Sequence, residues 1–397
     1  MYLNVRTISL FTIINLVIFK IALAEELNFI SYNVNSDRRV ELLVDGQNVR
    51  KGIATDSHEN WSFENRAERL AKQILAAHPD IVCLQEMDIR SVEIMQKLLA
   101  SNGYKAHVQA YNETDGAFRF ITAFKKDRFK LIHADRRYFN VHPDKATVRP
   151  ENYSKLASQE KQKFFDENFG EEFERPVHLL ALNDGKTGKS IFVANNHFGL
   201  RRNYRMKSAE LLAQFLDEFQ NTNHADKDSV ILVSGDFNAF PDDGGFEQMQ
   251  IIEKAGYDCL SKGAKFFDGS REGIVASGTI SMYPYDFGIL KADVVKTHND
   301  NAFKISEARE RRDFINEVAA QNIPALGGIL DFIFGRNISS VRKSYVMIQS
   351  LLDGVEFDAS KLESEGKYLK DFIIQINASN VPAFPSDHFM MFVILDI

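Results

Sequence analysis

The feature that most limits how this chain can fold is a short apolar run that recurs and stops at a polar residue. "LNFISYN", "DIVCLQE", "FRFITAF", "SIFVANNH", "VILVSGDFN", "GILDFIFG" and "HFMMFVIL" all have the length and composition of buried strands. Between several of them the apolar period changes to that of a helix. "NRAERLAKQILAAH" places Ala67, Leu70, Ala71, Ile74 and Leu75 on one stripe, with Arg66, Glu68, Arg69 and Lys72 elsewhere. "MKSAELLAQFLDEF" does the same with Leu211, Leu212, Phe215, Leu216 and Phe219. Strands interleaved with helices predict an α/β or α+β domain.

The ends of the runs carry the chemistry. Asn33, Glu86, His197, and Asp236 with Asn238 each close an apolar run; Asp331 interrupts one, and Asp387 with His388 precedes the last. A carboxylate beside a core is costly unless it is paired or binds a metal. Singly, each is an ordinary turn residue or a satisfied core group. Together they predict a site where strand ends converge. Asp236 and Asn238 are two apart, so an extended backbone would point both to one side. Gly235 lets another strand or a ligand approach, and Pro241 turns the chain out of the sheet. Asp387 and His388 are adjacent and read as a loop site.

The 397 residues are 44% hydrophobic and 26% charged, enough for one large domain. The formal net charge of -7 argues against broad binding of a phosphate backbone by bulk electrostatics. It does not exclude a nuclease, since a bound divalent metal supplies local positive charge. Two polar stretches, 140–175 and 297–321, read as helical excursions with solvated charge from a single domain spanning 25–397. Residues 1–24 read as a secretory signal: Arg6, an apolar run, then Ala22-Leu23-Ala24 before Glu25. Lys20 interrupts that run. An uncleaved anchor is the alternative, and the charge-free part, 7–19, is short for a span. Export would make the protein secreted or periplasmic, would allow Cys83 and Cys259 to pair, and would expose sequons at Asn60, Asn112, Asn152, Asn337 and Asn377.

Acid oxygens with an Asn carbonyl are hard ligands that suit Mg²⁺ or Mn²⁺. A base, a cation and an imidazole oriented by a carboxylate are the parts needed for in-line hydrolysis of a phosphoester. Asp331 behind His388 fits the last of these.

The ordered set Asn33, Glu86, Asn196-His197, Gly235-Asp236-Phe237-Asn238, Asp331 and Ser386-Asp387-His388 resembles the endonuclease/exonuclease/phosphatase (deoxyribonuclease I-like) superfamily. The resemblance implies a four-layered α/β sandwich, two face-to-face mixed β-sheets flanked by helices, with the site at one end. It implies that Glu86, with Asn33 and Asp387, holds Mg²⁺ or Mn²⁺. Asp236 would activate water, Asn238 orient the phosphate, and His388, held by Asp331, stabilise the transition state. His197 would contact phosphate, and Arg175 is a candidate for the same task. The implied partner is a phosphoester substrate, either nucleic acid or a phospholipid or small molecule, with no stable protein partner and a monomeric chain.

Leu330 stands where abasic-site endonucleases show an Arg, and "GILDFIFGRN" lacks the Trp-x-Asp-Arg motif of inositol polyphosphate 5-phosphatases. "LDFIF", "PSDHF" and "NWSFENRAERLAKQI" look more like the branch of deadenylase-type nucleases and neutral sphingomyelinases. A lipid or small-molecule phosphoesterase, sphingomyelinase-like, is therefore an alternative to a nuclease. A non-catalytic binding protein on the same scaffold is another. Arg201, Arg202, Arg205 and Lys207 form a basic helix start that could hold phosphate or face solvent.

Overall fold

The computed structural model describes residues 24–34, 63–87, 89–109, 119–140, 156–157, 159–160, 163–164, 167, 175–199, 202–239, 247–276, 280–281, 326–327, 330–348, 358–361 and 388–397. Residues 1–23 of the expected signal segment, the 297–321 excursion, Asp387 and most of 140–175 lie outside them, as do the sequons at Asn60, Asn112, Asn152 and Asn377.

The strands, in chain order, are β1 (Glu26–Asn33), β2 (Ile81–Met87), β3 (Tyr104–Gln109), β4 (Arg119–Lys125), β5 (Phe129–Tyr138), β6 (Pro176–Asp184), β7 (Ser190–His197) and β8 (Val230–Asp236). They continue with β9 (Asp258–Cys259), β10 (Lys265–Phe267), β11 (Glu272–Val275), β12 (Ile280–Ser281), β13 (Leu326–Gly327), β14 (Asp331–Arg336), β15 (Ser340–Met347) and β16 (Met390–Asp396). The helices are α1 (Phe63–Ala76), α2 (Ile89–Ser101), α3 (Arg202–Thr222) and α4 (Glu247–Lys254). An eight-stranded sheet runs β11-β10-β15-β16-β1-β2-β4-β3, and a six-stranded sheet runs β5-β6-β7-β8-β14-β9. Both are mixed, as expected: β1 with β2 and β7 with β8 are parallel, whereas most neighbours are antiparallel.

Alternation along the strands explains why the sheets stack. Leu27 and Phe29, Ile81 and Cys83, Ile191 and Val193, and Val230 and Leu232 meet in one core between the sheets. The intervening residues face outward. Ile30, Tyr32, Val82 and Leu84 pack under Ala67, Leu70, Ala71 and Ile74 of α1 and Val92, Met95 and Leu99 of α2. Phe192, Ala194, Ile231 and Val233 pack under Leu212, Phe215, Leu216 and Phe219 of α3 and Met249 and Ile252 of α4. Each fully buried aliphatic or aromatic side chain contributes about 1.5–3 kcal/mol of transfer free energy. The apolar stripes of α1 and α3 lie where the periodicity puts them. Arg66, off the stripe, is also buried, and its Nη1 donates to the carbonyl of Val34 at 3.1 Å. This side chain ties α1 to the end of β1.

The end of the sandwich where β1 begins is closed by charge. Arg128 grips Asp184 through two hydrogen bonds of 3.0 Å, reaches Asp80 at 3.0 Å and donates to the Glu26 carbonyl at 2.7 Å. Burial opposes the charges, but hydrogen bonds from Arg128, Lys186 and Thr187 hold the Asp184 carboxyl below its ordinary range. Both cysteines are free; Cys83 lies in the core between the sheets and Cys259 against the outer core under α3. Asn337 uses its side-chain amide internally, donating to the carbonyls of Lys227 and Ser229 at 2.9 and 2.7 Å. Among the described residues no helix is long and apolar enough to cross a membrane.

Candidate active site

The inward-facing file of each strand changes from apolar to polar toward the opposite end. On β1 it reads Leu27, Phe29, Ser31, Asn33; on β7 Ile191, Val193, Asn195, His197; on β8 Val230, Leu232, Ser234, Asp236. Register then aligns the last members. His197 pairs with Asp236, and Asp236 pairs with Asp331, forming one row across β7, β8 and β14. On the facing sheet Asn33 of β1 pairs with Gln85 of β2, next to Glu86. His388 stands just ahead of β16, beside β1. Sequence positions far apart thus share one pocket because strand polarity and register bring their ends together.

All these side chains are buried. Asp236 is central. Its Oδ2 lies 3.3 Å from His197 Nε2 and 3.7 Å from His388 Nε2, and accepts from Asn33 Nδ2 at 3.1 Å. Its Oδ1 accepts from the Asn238 backbone N–H at 2.8 Å. His388 Nδ1 lies 2.9 Å from Asp331 Oδ2, so Asp331 fixes the ring and leaves Nε2 facing Asp236. His197 Nε2 also lies 3.7 Å from Glu86 Oε1. Two trios result, Glu86–His197–Asp236 and Asp236–Asp331–His388, each with one donor atom per residue lying within 4.8 Å of one another. They share Asp236.

Burial raises the Asp236 carboxyl to about 7; His388 acts the other way, and the negative charges of Asp331 and Glu86 add to the rise. Such a crowd of buried acids is suited to a divalent cation, whose charge would favour ionised oxygens. Carboxylates and an amide carbonyl are the hard donors that Mg²⁺ or Mn²⁺ prefers, so the residues present fit the expected metal. Glu86 and Asn33 are the side chains that could hold it, with Asp236 beside them.

Two backbone features build this geometry. Gly235 has φ +150°, and a Cβ there would lie 1.8 Å from the Asn196 carbonyl oxygen. Only glycine lets β7 and β8 approach so closely that His197 and Asp236 meet. Glu86 has φ +55°, a left-handed conformation that non-glycine residues rarely adopt.

Asn238 differs from expectation. Its φ is +48°, so the backbone is not extended after Asp236, and its side-chain Nδ2 donates to the Phe198 carbonyl at 2.7 Å. The strand ends at Asp236, and the same-side argument fails beyond it. Asn238 instead locks the loop after β8 to the loop after β7. Arg175 stands just before β6, whose first residues pair with the end of β7, so it lies at the site end of the sandwich. Arg205 is fully buried in the first turns of α3. The exposed Arg202 pairs with Glu247, and Lys207 pairs with Glu210 at 2.9 Å. Of the basic helix start, Arg202 and Lys207 are solvated and in ion pairs, Arg205 is buried, and Arg201 lies outside the described residues.

Beneath the site lies a polar layer that sequence reasoning missed. Ser31, Cys83, Thr122 and His107 form one row across β1, β2, β4 and β3. His178, Asn195 and Ser234 form a row across β6, β7 and β8. The rows face each other. His178 Nε2 lies 2.8 Å from His107 Nδ1, and its Nδ1 lies 3.0 Å from Thr122 Oγ1. Burial drives the His178 imidazole well below its ordinary range, so it is neutral. Burial also pushes the Cys83 thiol up to about 12. The period-2 pattern was the available signal: polar residues at inward positions, one step before each strand end.

A sequence profile of the Endonuclease/Exonuclease/phosphatase family matches residues 30–388. The chain belongs to this family. Among curated proteins, the CCR4-Not complex 3'-5'-exoribonuclease subunit Ccr4 of Candida albicans is 25% identical over 51% of this chain and 26% of its own length. Protein angel of Drosophila melanogaster is 24% identical over 55% of this chain and 54% of its own. The chain therefore spans about a quarter and about half of these two relatives. Among solved structures, a family member from Bacteroides thetaiotaomicron aligns with TM-score 0.56 and 15% identity, covering 94% of this chain and 98% of that one. The mannosyl-6-phosphatase of the same organism aligns with TM-score 0.56 and 14% identity, covering 94% and 100%. These structures share the sandwich of the family fold.

Proposed function

We propose that this chain is an exported, Mg²⁺- or Mn²⁺-dependent phosphoester hydrolase, and that its substrate is a nucleic-acid phosphodiester. The observation that carries the reading is Asp236, one buried carboxylate shared by the two acid–imidazole trios. The similarity to an exoribonuclease subunit supports nucleic acid over lipid. The apolar run ending Ala22-Leu23-Ala24 supports export. Residues 25–397 are read as one domain that works as a monomer.

A cation held by Glu86 and Asn33, and by Asp387 as the resemblance implies, supplies positive charge against the phosphoryl oxygens when bound. Asp236 takes the proton of the attacking water. The carboxylate is buried between the imidazoles of His197 and His388. Asn33 and the Asn238 N–H hold it in place. His388, kept in orientation by Asp331, presents Nε2 to a non-bridging oxygen and donates to the charge that develops there. His197 contacts a second phosphate oxygen, and Arg175 binds a flanking phosphate. Arg205, being buried, would act by holding α3.

The test is a substrate panel on the mature chain with Mg²⁺: single-stranded RNA, single-stranded DNA, sphingomyelin and a sugar phosphate. Cleavage of RNA or DNA at a kcat/KM well above the others is expected. Release of phosphocholine alone, or of inorganic phosphate alone, would move the substrate to lipids or small phosphoesters.

A further inference from the structure

Glu86 reaches the site through an irregularity in its strand. Between the Leu84–Ile121 and Met87–Arg119 pairs, β2 carries one residue more than β4, and within this bulge Glu86 takes φ +55°. In a regular strand, side chains alternate, and Gln85 and Glu86 would face opposite sides of the sheet. Gln85 faces the inter-sheet core, so an unbulged β2 would send Glu86 outward, away from His197 and Asp236.

The bulge is closed by a residue of the other sheet. Asn195 Nδ2 donates to the carbonyls of Leu84 and Ile121, at 3.2 and 3.0 Å, the two residues that form the last regular pair before the bulge. Its Oδ1 accepts from Gln85 Nε2 at 2.8 Å, and Thr122 Oγ1 lies 3.4 Å from Nδ2. Gln85 is fixed in turn by Ser31 Oγ and the Cys83 carbonyl, both at 3.3 Å. Asn195 is fully buried, two residues before His197 in the same inward file. A buried carbonyl left without a donor is costly.

We propose that Asn195 is a positioning residue for Glu86: its amide satisfies the carbonyls at the β2 bulge and so keeps the Glu86 carboxylate beside His197 and Asp236. This rests on the reading of Glu86 as a metal ligand. The residue also couples the two halves of the pocket, because β7 carries both Asn195 and His197. Partners that orient metal ligands typically set affinity by about 10- to 100-fold.

The experiment compares wild type, Asn195→Leu and Ser234→Ala in the full chain. Mn²⁺ binding is measured by calorimetry, steady-state hydrolysis with the best substrate of the panel, and metal-free variants by crystallography. Asn195→Leu is expected to raise the Mn²⁺ dissociation constant about 10- to 100-fold and to lower kcat with KM nearly unchanged. Its crystal structure is expected to show Glu86 with negative φ and its carboxylate turned away from His197. Ser234→Ala removes a polar group of the same layer that does not touch the bulge, and should bind Mn²⁺ as wild type does. If Asn195→Leu does not fold, Gln85→Met with Asn195→Leu replaces both partners by apolar groups and is used in its place. Unchanged Mn²⁺ affinity in the folded variant, or Glu86 in its original place, overturns the proposal. Should wild type bind no Mn²⁺ and cleave nothing, the functional reading fails, and the position of Glu86 in the variant crystal still decides the role of Asn195.

Discussion

His388 and Asp331 are a pair whose worth depends on a single oriented ring. The 2.9 Å contact from Nδ1 to Oδ2 fixes which nitrogen faces Asp236. Asp331→Asn keeps the shape and removes the charge. It is expected to lower kcat by about 100- to 10,000-fold while shifting Tm by only a few degrees, measured by steady-state kinetics and thermal melting. His178 makes a different prediction. Its folded-state pKa is lowered below 6.5 by burial, so the folded protein resists a proton that the unfolded chain accepts. The stability it contributes is present above pH 6.5 and is lost as the pH falls below that value. Urea unfolding at pH 7.5 and pH 5.5 in EDTA should show a larger loss for wild type than for His178→Gln. Equal losses would mean that His178 accepts its proton in the folded state.

At the scale of elements, strands and their polar ends were legible because period-2 alternation and apolar length are local properties. The stripes of α1 and α3 were legible for the same reason. The burial of Arg66 was not legible, because a helical period assigns a stripe but cannot see the Val34 carbonyl beside it. Asn238 was misread because the strand stops at Asp236, which depends on how the next loop pairs with Phe198. The Glu86 bulge was invisible because it depends on an amide from another sheet. The charged cluster around Arg128 joins β1, the β4–β5 turn and the end of β6, away from the site. Arg128→Met leaves Asp184 and Asp80 buried without that partner and is expected to cost about 3–5 kcal/mol in chemical denaturation. The kcat of the fraction that remains folded should stay near wild type, since no residue of either trio is touched.

Across the whole molecule, the two sheets divide labour along the strand direction. One end is apolar and clamped by charge; the other turns polar through Ser31, Asn195 and Ser234 and ends in Asn33, Glu86, His197, Asp236, Asp331 and His388. Which residues converge could be anticipated from the ordered polar ends, whereas their distances follow from register, which pairs His197 with Asp236 and Asp236 with Asp331. The central claim is that these strand ends form one metal-dependent hydrolytic pocket around Asp236. The most direct measurement is hydrolysis of bis(4-nitrophenyl) phosphate by wild type and Asp236→Ala, with Mg²⁺ or Mn²⁺, then with EDTA, then with metal restored. The account predicts turnover by wild type that EDTA abolishes and added metal recovers, and a loss of about 100-fold or more in a folded Asp236→Ala variant. Turnover that survives EDTA, or an Asp236→Ala variant that works at the wild-type rate, would contradict it.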